Sequence, residues 1–339
     1  MKPRLGTREA FVFSPIHRRE ENSGHLCPRF KKNSAMNDTA LSISGSTHER
    51  RLPVPLALAT VYVVWGSTYL GIRIALTGFP PFMLAALRFA AAGVAMYAWL
   101  RLRGAPAPTR LQWRNAAVTG VLLLCFGNGM VCYAEQYVDS GIAAVAVACE
   151  PLLVAVIVAL YRERLRRTEI AGLIVGFVGV VLLNSGGELR GSPWAAAALL
   201  FAALCWAFGS IWSRRQDMPK GPMNVAAQML CASVALALVA VMTGEHVPTH
   251  VPPQAALALV YLAVFGSLIG FSAYLFLLKT VRPALSASYA YVNPPVAVLF
   301  GVLLAGERVS MLEMAGMAVI LIGVGTIALA RAWTPRTAR

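Results

Sequence analysis

The sequence predicts an all-α integral membrane protein of ten transmembrane helices, arranged as two inverted five-helix repeats around a central cavity. Three observations lead there. Of 339 residues, 58% are hydrophobic and only 13% charged, against about 25% charged in soluble domains. Apolar runs long enough to cross about 30 Å of hydrocarbon recur from Val54 onward. The second half then repeats the glycine, proline and charge pattern of the first. Any folded chain leaves much of its surface outside, so this much apolar sequence requires lipid as its main solvent.

Residues 1–53 are polar, basic and rich in turn formers, and are expected to be a disordered tail. They lack the apolar core of a secretory signal. Met36 precedes a short polar leader and is the expected natural start, which makes 1–35 an upstream extension; an unstructured cytoplasmic tail is the alternative. Spans follow near 54–76, 81–101, 115–138, 141–161, 168–185, 193–213, 222–243, 255–278, 284–305 and 310–331, and residues 332–339 form a cytoplasmic tail. The runs are continuous and show no alternation of period two, so helices are expected rather than a barrel. Short links at Gly78–Pro80 and Asp139-Ser140 make neighbours antiparallel and leave no room for a soluble catalytic domain.

The net charge is +15, and ten of the 30 Lys and Arg lie in residues 1–53. The loops after even-numbered spans, with the C-terminus, carry sixteen more, whereas those after odd-numbered spans carry only Arg190 and Arg308. This asymmetry puts both termini in the cytoplasm; the membrane expected is a bacterial inner membrane. No basic stripe accompanies a soluble recognition element, so no nucleic-acid partner is expected. Five of the six cysteines fall within apolar runs and none forms a C-x-x-C pair, which disfavours a disulfide framework or zinc site. His246 and His250 are separated by Pro248 and followed by Pro252 and Pro253, so no helix aligns them for a metal. No P-loop, H-E-x-x-H or G-x-S-x-G motif occurs; no cofactor and no enzymatic activity are expected.

A shift of 144 residues aligns Glu163-Arg164 with Glu307-Arg308, Glu169 with Glu313, Ala171-Gly172 with Ala315-Gly316, and Gly179-Val180 with Gly323-Val324. A shift of 143 aligns Pro151 with Pro294 and Ala144 with Ala287. The units are 54–185 and 193–331. Five spans are an odd number, so the second copy lies inverted. Two such packings can open to opposite sides at similar energy, the basis of alternating access.

The stretch Trp65-Gly66-Ser67-Thr68-Tyr69-Leu70-Gly71-Ile72-Arg73, with Pro80-Pro81-Phe82 and Leu87-Arg88-Phe89, resembles the opening of the EamA-type branch of the drug/metabolite transporter superfamily. The likeness is closest to its YedA-like exporters. Ala134-Glu135-Gln136-Tyr137, Ser140-Gly141, Pro151-Leu152 and Glu163-Arg164-Leu165 are similar to later parts of the same pattern. The resemblance covers about 54–331. It implies ten helices around a central cavity and secondary active export of amino acids, other metabolites or drugs, coupled to protons or to exchange. A metabolite importer or a passive channel of the same fold is the alternative; an intramembrane enzyme would need catalytic groups that are not found. The partners are thus a small-molecule substrate and the bilayer. One departure is Glu150, where this family often has a neutral residue; Asn293 is its counterpart in the second unit.

Glu150 falls near the middle of the fourth span, where a carboxylate costs several kcal/mol unless paired, hydrated or protonated. It is a candidate for binding a cationic substrate group or a coupling proton, with a structural ion pair to Arg88 or Arg73 as the alternative. Arg88 is too deep to reach water and is either a carboxylate clamp or the structural partner of Glu135 or Glu150. Arg73 is expected to snorkel. Glu135 and Gln136 lie near the outer end of the third span, as vestibule residues or a partly hydrated pair. Asn293, beside Pro294-Pro295, is a candidate hydrogen-bonding wall. Trp65, Tyr69, Trp206, Tyr289 and Tyr291 are candidate aromatic walls, with packing as the commoner role. Gly172 and Gly176 match a close-packing motif.

Overall fold

The computed structural model describes residues 54–160, 167–184, 192–281 and 289–332, apart from certain side chains in those helices. The expectations for 1–53, the Glu163-Arg164 loop and the C-terminal tail fall outside the described residues.

Ten helical rods make up the described chain, and no strand occurs among these residues. In order, α1 comprises Val54–Thr60, Val61–Trp65 and Gly66–Ala75. Next come α2 (Pro81–Leu102) and α3 (Arg110–Gly120, Val121–Asn128 and Gly129–Ala134). Then α4 comprises Ser140–Val147 and Glu150–Leu160, and α5 is Arg167–Asn184. The second half has α6 (Pro193–Ser213), α7 (Pro222–Met242) and α8 (Pro253–Tyr261, Leu262–Ile269 and Gly270–Thr280). It ends with α9 (Tyr289–Phe300 and Gly301–Ala305) and α10 (Met311–Ala332). Six rods are long and apolar enough to cross a membrane; α4, α5, α9 and α10 contain shorter apolar helices.

Local chemistry sets the boundaries. α3 starts at Arg110, five residues before the expected start. Thr109 Oγ1 accepts from the Gln112 backbone N–H (3.2 Å), and Gln112 Oε1 accepts from the Thr109 N–H (3.1 Å). This reciprocal cap satisfies two donors that the first helical turn would otherwise leave unpaired. Ser310 and Glu313 cap α10 in the same way. The expected single helix over 141–161 is instead two, joined by a turn at Ala148-Cys149. Pro151 has no N–H and crowds the residues before it, so the helix restarts at Glu150. Within α1, α3, α8 and α9 the backbone widens into π-helical turns, in α3 and α8 over eight residues each.

The packing keeps its pattern when the halves are exchanged. α2 lies against α7, and α5 against α10. The α1–α8 contact has its twin in α6–α3, α1–α9 in α6–α4, and α2–α8 in α7–α3. Small residues permit the closest approach: a Cβ on Gly323 would lie 2.4 Å from the Gly176 nitrogen, and one on Gly179 2.5 Å from that of Ile320. The Gly172–Gly176 motif thus serves the α5–α10 contact between halves.

Backbone cannot swing aside as a side chain can. Gly323→Ala is expected to cost about 1–3 kcal/mol and to lower the melting temperature of the purified protein in detergent. Gly325→Ala, which meets nothing within 4 Å, is expected to leave it unchanged; equal melting temperatures would contradict the described helix contact.

Candidate functional site

One cavity of about 90 Å³ opens between the halves, walled by α1, α2, α3, α4, α6, α8 and α9. It gathers Glu150, Arg88, Asn293, Trp65, Tyr69 and Trp206 from five separate stretches of sequence. That volume suits a few waters or a very small solute; a larger one requires the walls to part.

Arg88, 2% exposed, is positioned from both halves. Its Nε donates to Ser267 Oγ (2.9 Å) and its Nη1 to Asn128 Oδ1 (3.3 Å). Two of a guanidinium's five N–H donors are thus used, which leaves others for an anion in the cavity. Ser267 sits in the π-helical part of α8, and Asn128 ends that of α3. The widened turns therefore carry the residues that hold the arginine.

Glu150 begins the second segment of α4 directly after the break, so the turn aims a carboxylate into the bundle rather than along a helix face. It is half-buried and lines the cavity, and no described residue donates a hydrogen bond to it. The alternative pairings with Arg88 and Arg73 are not formed: Arg88 takes Ser267 and Asn128, and Arg73 takes Asp139 and Glu307.

The aromatic walls are held by the opposite half. Trp65 donates from Nε1 to the Gly266 carbonyl (3.1 Å) and lies 5.0–5.1 Å from the Phe271, Tyr274 and Tyr289 rings. A Cβ on Gly270 would strike the Trp65 indole, and one on Gly127 the Trp206 ring. Trp65 and Trp206 are themselves 141 positions apart, as are Arg73 and Arg214. Asn293 is buried, its amide facing the carbonyls of Tyr289 and Tyr62 at 3.3 Å.

The remaining candidates lie elsewhere. Gln136 is exposed, donates back to the Tyr133 carbonyl (3.1 Å) and is not among the cavity residues. Glu135 is buried rather than partly hydrated, and is not among the cavity residues. Tyr291 lies in α9, but its side chain is outside the described residues; Tyr289 supplies the tyrosine there. Arg73 does not snorkel free, being paired with Asp139 at 2.5 Å. Asn128 and Ser267 escaped the sequence reading, although each is a polar residue beside glycine in an otherwise apolar run.

Comparison with known proteins places this architecture. The model of the EamA-like transporter family matches residues 53–185 and again 193–329. The chain belongs to that family. As an EamA-like transporter it is 44% identical over 281 residues to the "Uncharacterized inner membrane transporter YedA" of Escherichia coli strain K12, covering 83% of this chain and 92% of that one. It is 27% identical over 280 residues to the "Probable terminal-alkyne amino-acid exporter" of Streptantibioticus cattleyicolor, covering 79% and 91%. One solved crystal structure shares the fold, with TM-score 0.60 and 24% identity over 83% of this chain and 99% of that one.

Cysteines at cavity positions Ala148 and Ala202, in a cysteine-free background, are expected to react with a charged, water-soluble thiol reagent. A cysteine at Leu238, which α7 turns outward, is expected to stay unmodified. Equal reactivity at all three would show that the cavity is not hydrated.

Proposed function

We propose that this EamA-like transporter exports a small zwitterionic metabolite of amino-acid type by alternating access, driven by protons or by exchange. The carrying observation is that one cavity holds Arg88, with N–H donors that no described residue takes, and Glu150, to which no described residue donates, between tryptophan walls. Arg88 binds the carboxylate of the solute, its planar fork matching two oxygens. Glu150 binds the ammonium. Trp65, Trp206 and Tyr69 receive the side chain and favour a cation at their faces.

The ten rods are ten membrane crossings, and the two halves, 54–185 and 193–331, are inverted with respect to each other. The twinned helix contacts support that reading, as does the odd number of crossings per half. Both termini lie in the cytoplasm, in keeping with the loop arginines. Export rather than import draws on the Streptantibioticus cattleyicolor relative, named for amino-acid export. The cavity sits where the halves meet, so rocking one half against the other exposes it to each side in turn.

The test is a screen of growth inhibition by amino acids and amino-acid analogues in a strain overexpressing the protein, followed by counterflow in proteoliposomes with each hit. Protection by the wild type is expected for at least one zwitterionic compound. Arg88→Gln and Glu150→Gln are expected to weaken counterflow tenfold or more, by removing a charge-assisted bond of about 1.5–3 kcal/mol. Full activity in both variants would rule out the zwitterion assignment.

A further inference from the structure

We propose that Glu135 is a proton-binding site controlling a latch that closes one end of the bundle; this rests on the transporter reading above. The latch is built from three separated stretches. Glu307, in the α9–α10 loop, accepts from the Ser140 backbone N–H (3.0 Å), the Ser140 hydroxyl (2.6 Å) and the Gly141 N–H (3.1 Å). A residue of the second half thus caps the start of α4 in the first, where unpaired N–H groups favour a negative charge. At the end of α1, Arg73 pairs with Asp139 (2.5 Å) and Glu307 (3.6 Å), and donates to the Val138 carbonyl (3.0 Å). The seat is tight: a Cβ on Gly301 would fall 2.1 Å from Glu307 Oε2. α1, α4 and α9 cannot part at this end while Glu307 stays bound.

Glu135 lies in the turn between α3 and α4, one turn before Asp139. It is 3% exposed, and neither carboxyl oxygen has a hydrogen-bond partner among the described residues. The charged groups around it are Glu307 and Arg73 on the latch side and Arg88 on the cavity side. Tyr69 and Cys132 are the other titratable neighbours. Each arginine is bonded elsewhere, so an ionised Glu135 would add a third carboxylate to the one arginine of the latch. A neutral acid adds no charge. Burial without a donor and repulsion from Glu307 act in the same direction.

With its proton, Glu135 is compatible with the closed latch. Without it, the carboxylate repels Glu307 and competes for Arg73, and the end opens. The proton is taken from water while this end is open, and the closure it permits carries it inward. That order is the one an antiporting exporter requires.

The latch is read by pulsed electron–electron distance measurement on the full chain in lipid nanodiscs, with nitroxides at Tyr137→Cys and Arg308→Cys, both exposed sites, in a cysteine-free background. Between about pH 5 and about pH 9, spanning the range in which displaced carboxyl groups titrate, the wild type is expected to pass from one short distance to a growing longer component. Glu135→Gln is expected to keep the short distance throughout, and Glu307→Gln to show the longer component even at the acid end. Glu135→Asp retains the acid and is expected to retain the response, which separates loss of titration from misfolding. A wild type indifferent to pH, or a Glu135→Gln variant that responds as the wild type does, overturns the proton site. A Glu307→Gln variant that never opens overturns the latch. Switching distances with no counterflow of any tested solute would instead defeat the transport reading and leave the proton switch standing.

Discussion

Hydrocarbon offers no hydrogen bonds, so every polar group carried into it must find a partner inside the protein or face a hydrated hollow. The charged residues inside this bundle can be sorted by that rule. Arg88 takes its partners from α3 and α8, and Arg73 takes Asp139 and Glu307. Glu150 takes no donor among the described residues and faces the cavity. Glu135 has neither a donor nor a place in the cavity wall. These last two groups are where the molecule departs from quiet packing, and both functional proposals rest on them.

Exchange between the halves is the second theme. Helix pairs such as α2–α7 and α5–α10 join equivalent elements, and glycines let their backbones nearly touch. The same exchange shapes the cavity: the tryptophan of α1 rests on α8, and that of α6 on α3. The π-helical turns of α3 and α8 fall at equivalent places and supply Asn128 and Ser267 to a single arginine. The halves are nevertheless unequal in chemistry. Glu150 and Asn293 occupy matching positions, so the cavity carries one carboxylate rather than two.

Glu135 stands between the two functional regions. The charges acting on it include Arg88 of the cavity wall and Arg73 of the latch. Because the region is buried, the fields of these charges are weakly screened by salt.

Helix number and order were legible along the chain, because an apolar run of this length has few other fates in a membrane. The α6 boundaries, 193–213, came out as expected. Boundaries set by side chains were harder to read: the start of α3 depends on the Thr109–Gln112 cap, and the break in α4 on how Pro151 is accommodated. The candidates Arg88, Glu150 and Asn293 stood out as polar residues deep in apolar runs, a local signal. Their partners did not. Ser267 is 179 residues from Arg88, and Glu307 is 167 from Ser140. No one-dimensional pattern says which of many distant hydroxyls or carboxylates will meet a given group; helix packing across the two halves makes that choice.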